Sequence, residues 1–281
     1  MAKQKKRATG QQKSGERQQG KDLRGRHAVV TGAGTGIGRA IALRLAQRGA
    51  RLTLLGRRLA PLRATAEAAL ERGAEAALAR SADVLDGAAL QRACAAGARA
   101  HGPVWAVVAN SGIGGANFPG DADRFDELVA TNLSGTYHTL RAAERHFDPE
   151  AKQGDAGHAV VIASILARIG VPGYTGYCAS KAGLLGLVRA LAVELAPRGV
   201  QVNAVCPGWV DTDMAWQGIE GMSKGLGISR EEAFEVVMQQ VPLRRMSQPE
   251  DVAGLVSWLL SPDARGVTGQ ALDMNNGAWM G

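Results

Sequence analysis

Thr31-Gly32-Ala33-Gly34-Thr35-Gly36-Ile37-Gly38 follows the apolar run His27-Ala28-Val29-Val30 and leads straight into the helical pattern Ile37, Ile41, Ala42, Leu45. A strand that ends in a glycine turn and continues as a helix presents backbone N–H groups at a helix N-terminus, where a pyrophosphate is readily held. The glycines fall at 32, 34, 36 and 38, so the spacing G-x-G-x-x-G is not met, because Ile37 stands where its third glycine would be. Gly32, Gly36 and Gly38 instead fit Gly-x-x-x-Gly-x-Gly.

Working outward from this stretch, apolar runs of strand length at 27–31, 51–55, 75–80, 104–109, 158–163, 200–206 and 270–274 alternate with helical patterns. That rhythm predicts a doubly wound α/β fold, Rossmann-like, with about seven parallel strands and helices on both faces. A chain of 281 residues with 46% hydrophobic content suits one large domain, expected over 23–281. Chemically distinctive residues then fall just past strand ends: Gly32, Gly56 with Arg57, Asp83, Asn110, Ser164 and Pro207. Ligands bind at that carboxyl edge of an open α/β sheet.

A second cluster lies in Tyr177-Cys178-Ala179-Ser180-Lys181, with Ser164 thirteen residues upstream of the tyrosine. Positions four apart share a helix face, so the Tyr177 hydroxyl and the Lys181 ammonium are expected to reach one cleft. A free phenol has a pKa near ~10, and a fixed ammonium beside it stabilises the phenolate and lowers that value. The residue types point to proton transfer to or from an oxygen.

The formal charge of +7 is confined to one end. Residues 1–26 hold nine Lys or Arg against Glu16 and Asp22, which leaves 24 basic and 24 acidic residues for the rest of the chain. Residues 1–22 are rich in Gln, Gly and Lys with almost nothing apolar, and are expected to form a disordered basic tail. Such a tail reads as a solubilising extension rather than a nucleic-acid site. No apolar run reaches the roughly 18 residues of a membrane span, and no secretory signal is visible, so a cytoplasmic location is expected. Cys94, Cys178 and Cys206 have neither the number nor the spacing of a disulfide framework or a zinc site, and no metal is expected.

Between Thr212 and Val241 the rhythm breaks. Gly218, Gly221, Gly225 and Gly227 suggest mobility, and Met214, Trp216, Met222 and Leu226 supply apolar surface. A lid insertion over about 213–240 is expected, its second part a helix from Arg230 capped by Ser229 with Glu232 completing a capping box. Farther on, Gln248-Pro249-Glu250-Asp251 opens another helix.

With these motifs in order, the chain from about Leu23 to its C-terminus resembles the short-chain dehydrogenase/reductase family. Asn110-Ser111-Gly112 stands where that family usually has Asn-Ala-Gly, and Asn132, Ser164, Tyr177, Lys181 and Pro207-Gly208 followed by Thr212 occupy family motif positions. The resemblance implies a hydride transfer between a nicotinamide cofactor and a ketone or secondary alcohol. In it Tyr177 is the proton donor and Ser164 hydrogen-bonds the substrate oxygen. Lys181 binds the nicotinamide ribose, and Asn132 fixes a water beyond Lys181. The implied cofactor site comprises Gly32, Thr35, Gly36, Ile37, Gly38, Arg57, Arg58, Asp83, Val84, Asn110, Tyr177, Lys181, Pro207, Gly208, Val210 and Thr212.

Leu54-Leu55-Gly56-Arg57-Arg58 offers no carboxylate to an adenosine 2′-hydroxyl, while a guanidinium can pair with a 2′-phosphate. NADP(H) is therefore expected over NAD(H), with an NAD-dependent dehydrogenase as the alternative and, in a different class, a dinucleotide-binding regulator acting through the basic tail. Gly114, Trp209, Met214 and Trp216 are the candidate substrate residues, for a ketone with apolar bulk. The stretch from Glu231 to Arg244 resembles the lid region of polyketide and 3-oxoacyl ketoreductases. Helices near Asp123 and Tyr177, which the family packs between subunits, imply a homotetramer, or else a dimer.

Overall fold

Strands β1 (His27–Thr31), β2 (Arg51–Gly56), β3 (Ala76–Ser81), β4 (Val104–Ala109), β5 (Gly157–Ile162), β6 (Val200–Pro207) and β7 (Ala271–Met274) form one sheet, each within a residue of its expected bounds. The structure is a computed structural model that describes residues 22–121, 123–151 and 156–281. The tail assigned to 1–22 lies outside the described residues except for Asp22, which pairs with Arg48. Every neighbouring pair in the order β3-β2-β1-β4-β5-β6-β7 is parallel. Strand order reverses between β1 and β4, and that switch point opens a crevice at their carboxyl ends.

Along the chain the helices are α1 (Gly36–Gln47), α2 (Leu59–Glu71), α3 (Gly87–His101), α4 (Phe125–Val129), α5 (Gly135–Glu144), α6 (Thr175–Leu195), α7 (Asp213–Leu226), α8 (Arg230–Gln239) and α9 (Pro249–Leu259). A π turn, Ala130–Ser134, joins α4 to α5. Strand side chains alternate between two apolar cores. Ala28, Val30, Ala106, Val108, Val160 and Ile162 pack with α1, α2 and α9. Val29, Val107, Ala159 and Val161 pack with α3, α5 and α6. Burial on both faces is why these strands read as continuous apolar runs.

The segment expected to form a lid, 213–240, is largely helical. Its glycine-rich first part is helix α7, and Thr212 caps it through the Ala215 N–H at 3.4 Å. Ala215, Ile219 and Met222 recur at helical spacing and pack against Ala233, Val237 and Met238 of α8. Their burial outweighs the propensity cost of the glycines, about 1 kcal/mol for each in a helix interior. The expected capping box is present: Glu232 N–H donates to Ser229 Oγ at 3.1 Å and Ser229 N–H donates to Glu232 Oε2 at 2.8 Å.

Candidate active site

β1 delivers the glycine loop to the switch point. Gly32 (φ 63°) and Gly36 (φ 50°) adopt the left-handed region that glycine enters without steric cost. At Gly38 contact decides instead, since a Cβ would collide with the Gly32 carbonyl oxygen and lie 2.5 Å from Asn110 Nδ2. Thr35 sits at the N-cap of α1 but makes no capping hydrogen bond, and the first turn contains no acid. The N–H groups of Gly36, Ile37 and Gly38 thus remain donors at a positive helix end, which fits a dinucleotide pyrophosphate.

Asn110 locks this cradle. Its Nδ2 donates to the Thr31 and Gly32 carbonyls at 3.1 and 3.4 Å. Thr31 Oγ1 accepts from the Asn110 and Ser111 N–H groups at 3.1 and 3.2 Å. From the other side, the Thr212 methyl lies 3.3 Å from where a Cβ on Gly36 would be, so the segment after β6 meets the glycine loop. Pro207 ends β6, a Cβ on Gly208 would be 2.9 Å from Asn275 Cα, and Val210 is buried. Arg57 and Arg58 follow β2 with exposed side chains, and Ser81 Oγ donates to the Arg57 carbonyl at 2.9 Å. Beyond β3, Asp83 Oδ1 accepts from Leu85 N–H at 3.0 Å and the buried Val84 packs where a Cβ on Gly135 would be 2.6 Å away.

Ser164 follows β5, and α6 brings Tyr177 and Lys181 against it. The Tyr177 hydroxyl hydrogen-bonds with Ser164, whose Oγ also accepts from Leu166 N–H at 3.1 Å. Lys181 Nζ donates to the Ile162 carbonyl at 3.0 Å and lies 5.6 Å from the centroid of the Tyr177 ring. Burial pushes the Tyr177 hydroxyl up to about 12, and only the Ser164 hydrogen bond lowers it. Burial likewise pushes the Lys181 ammonium down to about 8. Desolvation disfavours both charged forms and is the largest influence on each.

Asn132 lies buried in the π turn, an element that often marks functional sites. Its Oδ1 accepts from Ile113 N–H at 2.8 Å, and its Nδ2 donates to the Ile113 carbonyl at 3.0 Å and to Ser180 Oγ at 3.2 Å. Ser180 Oγ in turn donates to the Tyr177 carbonyl at 2.8 Å. The Asn132 carbonyl accepts from Thr136 Oγ1 at 2.7 Å. Thr31, Ile113 and Ser180 were not among the sequence candidates. Only Ser180 carried any signal, through its place between Tyr177 and Lys181.

Two of the four candidate substrate residues meet: Met214 Cγ and Sδ lie 3.1 Å from where a Cβ on Gly114 would be. The other two belong to the lid cluster. Trp209 faces Gly218, and Trp216 stacks on Phe234 at 5.6 Å, lies under Arg230 and donates from Nε1 to Asp211 at 2.7 Å. Among the described residues no group of three His, Cys, Asp or Glu could hold a metal ion, and no helix is long and apolar enough to cross a membrane.

The sequence profile of the family described as enoyl-(acyl carrier protein) reductase matches residues 32–278. A 3-oxoacyl-(acyl-carrier-protein) reductase of Aggregatibacter actinomycetemcomitans is 36% identical over 252 residues, covering 89% of this chain and 97% of that protein. Among solved structures, levodione reductase superposes with a TM-score of 0.83 at 32% identity, covering 91% of this chain and 98% of that one. An actinorhodin polyketide ketoreductase with NADPH gives 0.81 at 38% identity, covering 90% of this chain and 97% of that one. Matches of this extent in both sequence and fold establish that the chain belongs to the short-chain dehydrogenase/reductase family.

Proposed function

We propose that the protein is an NADP(H)-dependent ketoreductase that interconverts a 3-oxoacyl-type ketone and its secondary alcohol. The convergence of Ser164, Tyr177 and Lys181 at the end of β5 carries this conclusion. When bound, the reduced nicotinamide supplies the hydride. Tyr177, protonated at neutral pH as any phenol is and made a weaker acid by burial, donates its proton to the carbonyl oxygen as charge gathers there. Ser164 Oγ accepts from the Leu166 N–H, and its one proton, shared with the Tyr177 hydroxyl, would turn to the same substrate oxygen. Lys181 spends one N–H on the Ile162 carbonyl and keeps two for the ribose hydroxyls. Asn132 commits its amide to Ile113 and Ser180, and its main-chain carbonyl, which accepts from Thr136 Oγ1, keeps at most one lone pair for a water linking Lys181 to solvent.

Gly32, Thr35, Gly36, Ile37 and Gly38 would hold the pyrophosphate, Asp83 and Val84 the adenine, and Val210 and Thr212 the carboxamide. Arg57 and Arg58, with no carboxylate after β2, support the 2′-phosphate and hence NADP(H) over NAD(H), and the similar ketoreductase solved with NADPH supports it too. The relatives that are 3-oxoacyl and polyketide ketoreductases support the substrate class. A cytoplasmic homotetramer belongs to the same proposal, and the exposed Val193 on α6 supports assembly.

Replacing Tyr177 by Phe removes the proton and keeps the ring. With NADPH and a 3-oxoacyl thioester, Tyr177→Phe is expected to bind cofactor normally and to lose turnover by about 10²–10⁴-fold. Near-normal turnover at saturating cofactor would overturn the assignment of Tyr177 as the acid.

A further inference from the structure

We propose that Asn117 is a positioning residue that ties the loop after β4, residues 112–121, to the first turn of α6 and so sets where Tyr177 stands. The proposal rests on the reading of Tyr177 as proton donor. Asn117 is 5% exposed although it belongs to a surface loop. Its N–H donates to the Gly173 carbonyl at 2.7 Å, just ahead of α6. Its Oδ1 accepts from the Gly176 N–H at 2.8 Å, across 59 residues of chain. Its Nδ2 donates to Asp123 Oδ1 at 2.9 Å and to Thr175 Oγ1 at 3.0 Å.

The amide can face only one way. Gly176 N–H can only donate and the Asp123 carboxylate can only accept, so a flip would break both bonds. Helix α6 has no cap of its own, because Tyr174 at the N-cap position makes no side-chain bond. Asn117 therefore supplies the acceptor that an N-terminal turn otherwise lacks, one residue before Tyr177.

Asp123 carries the link onward. Its Oδ1 also accepts from Phe125 N–H at 3.0 Å at the start of α4, and a Cβ on Gly176 would lie 3.0 Å from Phe125 Cα. The loop bearing Gly112 and Gly114, the start of α4 and the first turn of α6 thus meet at one buried amide. A Cβ on Gly112 would in turn be 2.9 Å from Asn132 Oδ1 and 3.6 Å from Lys181 Nζ, so the loop's other end abuts the catalytic cluster. A shift of this joint displaces the phenol from Ser164.

The test compares kcat on a 3-oxoacyl thioester with NADPH affinity measured by fluorescence. Asn117→Ala is expected to lower kcat by about 10–10²-fold, the range that misplacement of a catalytic group produces, with the NADPH Kd within about threefold, since α1 and Arg57 are untouched. Asn117→Asp sets two carboxylates face to face and should lose as much. Asn117→Ala with normal kcat would overturn the proposal. So would a fall in kcat and NADPH affinity together. Tyr177→Phe run alongside separates the two levels: if it turns over normally both fail, and if it is inactive while Asn117→Ala is normal only this one fails.

Discussion

The cradle around β1 and α7, the first helix of the segment expected to form a lid, are both rich in glycine, and glycine acts in them through different physics. In the cradle, Gly32 and Gly36 hold positive φ, and a Cβ on Gly38 would strike the Gly32 carbonyl. In the lid, Gly221 and Gly225 sit inside a helix with nothing within 4 Å of a Cβ, and only Gly227, at φ 67°, ends the helix by its handedness. Glycine content alone says little about mobility. What surrounds each glycine decides whether it admits a ligand, ends a helix or merely weakens one.

The largest effect that breaks this contrast is expected from Gly38→Ala. Overpacking of this kind costs about 1–3 kcal/mol, and here it also pushes the α1 N–H groups away from the Gly32 turn. NADPH affinity should fall by about 10²-fold, read by fluorescence titration. Gly56 stands on the permissive side of the same cradle. Its φ is not positive, and a Cβ would lie 3.6 Å from Leu62, an ordinary contact. Gly56→Asp should therefore fold, repel a 2′-phosphate and offer a ribose acceptor, moving the NADPH to NADH ratio of kcat/KM by about tenfold or more toward NADH. An unchanged ratio would remove the 2′-phosphate from this edge.

A third test uses pH. With its folded pKa lowered to about 8, Lys181 is charged below that value and neutral above it. The kcat/KM for NADPH, which reports the free enzyme, should be level below about pH 8 and fall about tenfold per unit above it. Tyr177, pushed up to about 12, stays protonated throughout and adds no limb there. Lys181→Met should flatten the profile. Lid variants should leave it in place, because α7 and α8 do not touch Lys181 through any hydrogen bond or ring contact among the described residues.

The same contrast explains what was legible in the sequence. Strands β1, β4, β5 and β6 could be read because both faces are buried, Gly38 because a Cβ there would strike the Gly32 carbonyl, and Ser164, Tyr177 and Lys181 because the proposed chemistry demands those residue types. Thr31 and Ile113 could not, since an ordinary residue gains its place only through a partner 79 or 19 positions away. The rise in the Tyr177 pKa was hidden for a related reason, as burial is a tertiary property and the Tyr-x-x-x-Lys spacing reports only the neighbour. In the segment 213–226 the glycines suggested mobility, and they hid the helical spacing of Ala215, Ile219 and Met222, which pack against α8.

The smallest effect sharpens the contrast from the lid side. Gly221→Ala and Gly225→Ala add methyl groups to exposed helix positions that have room for them and no positive φ. Each should raise stability by about 0.5–1 kcal/mol, chiefly by restricting the unfolded chain, and together they should raise the urea midpoint without changing the slope. If α7 moves as a rigid body when substrate enters, kcat stays within about twofold of the parent, because the helix is stiffer but its Thr212 and Gly227 ends are untouched. If turnover instead requires α7 to unwind, the added stability opposes the step and kcat falls as the midpoint rises. Parallel urea and steady-state measurements on the double variant decide between them, and a rigid lid predicts the first result.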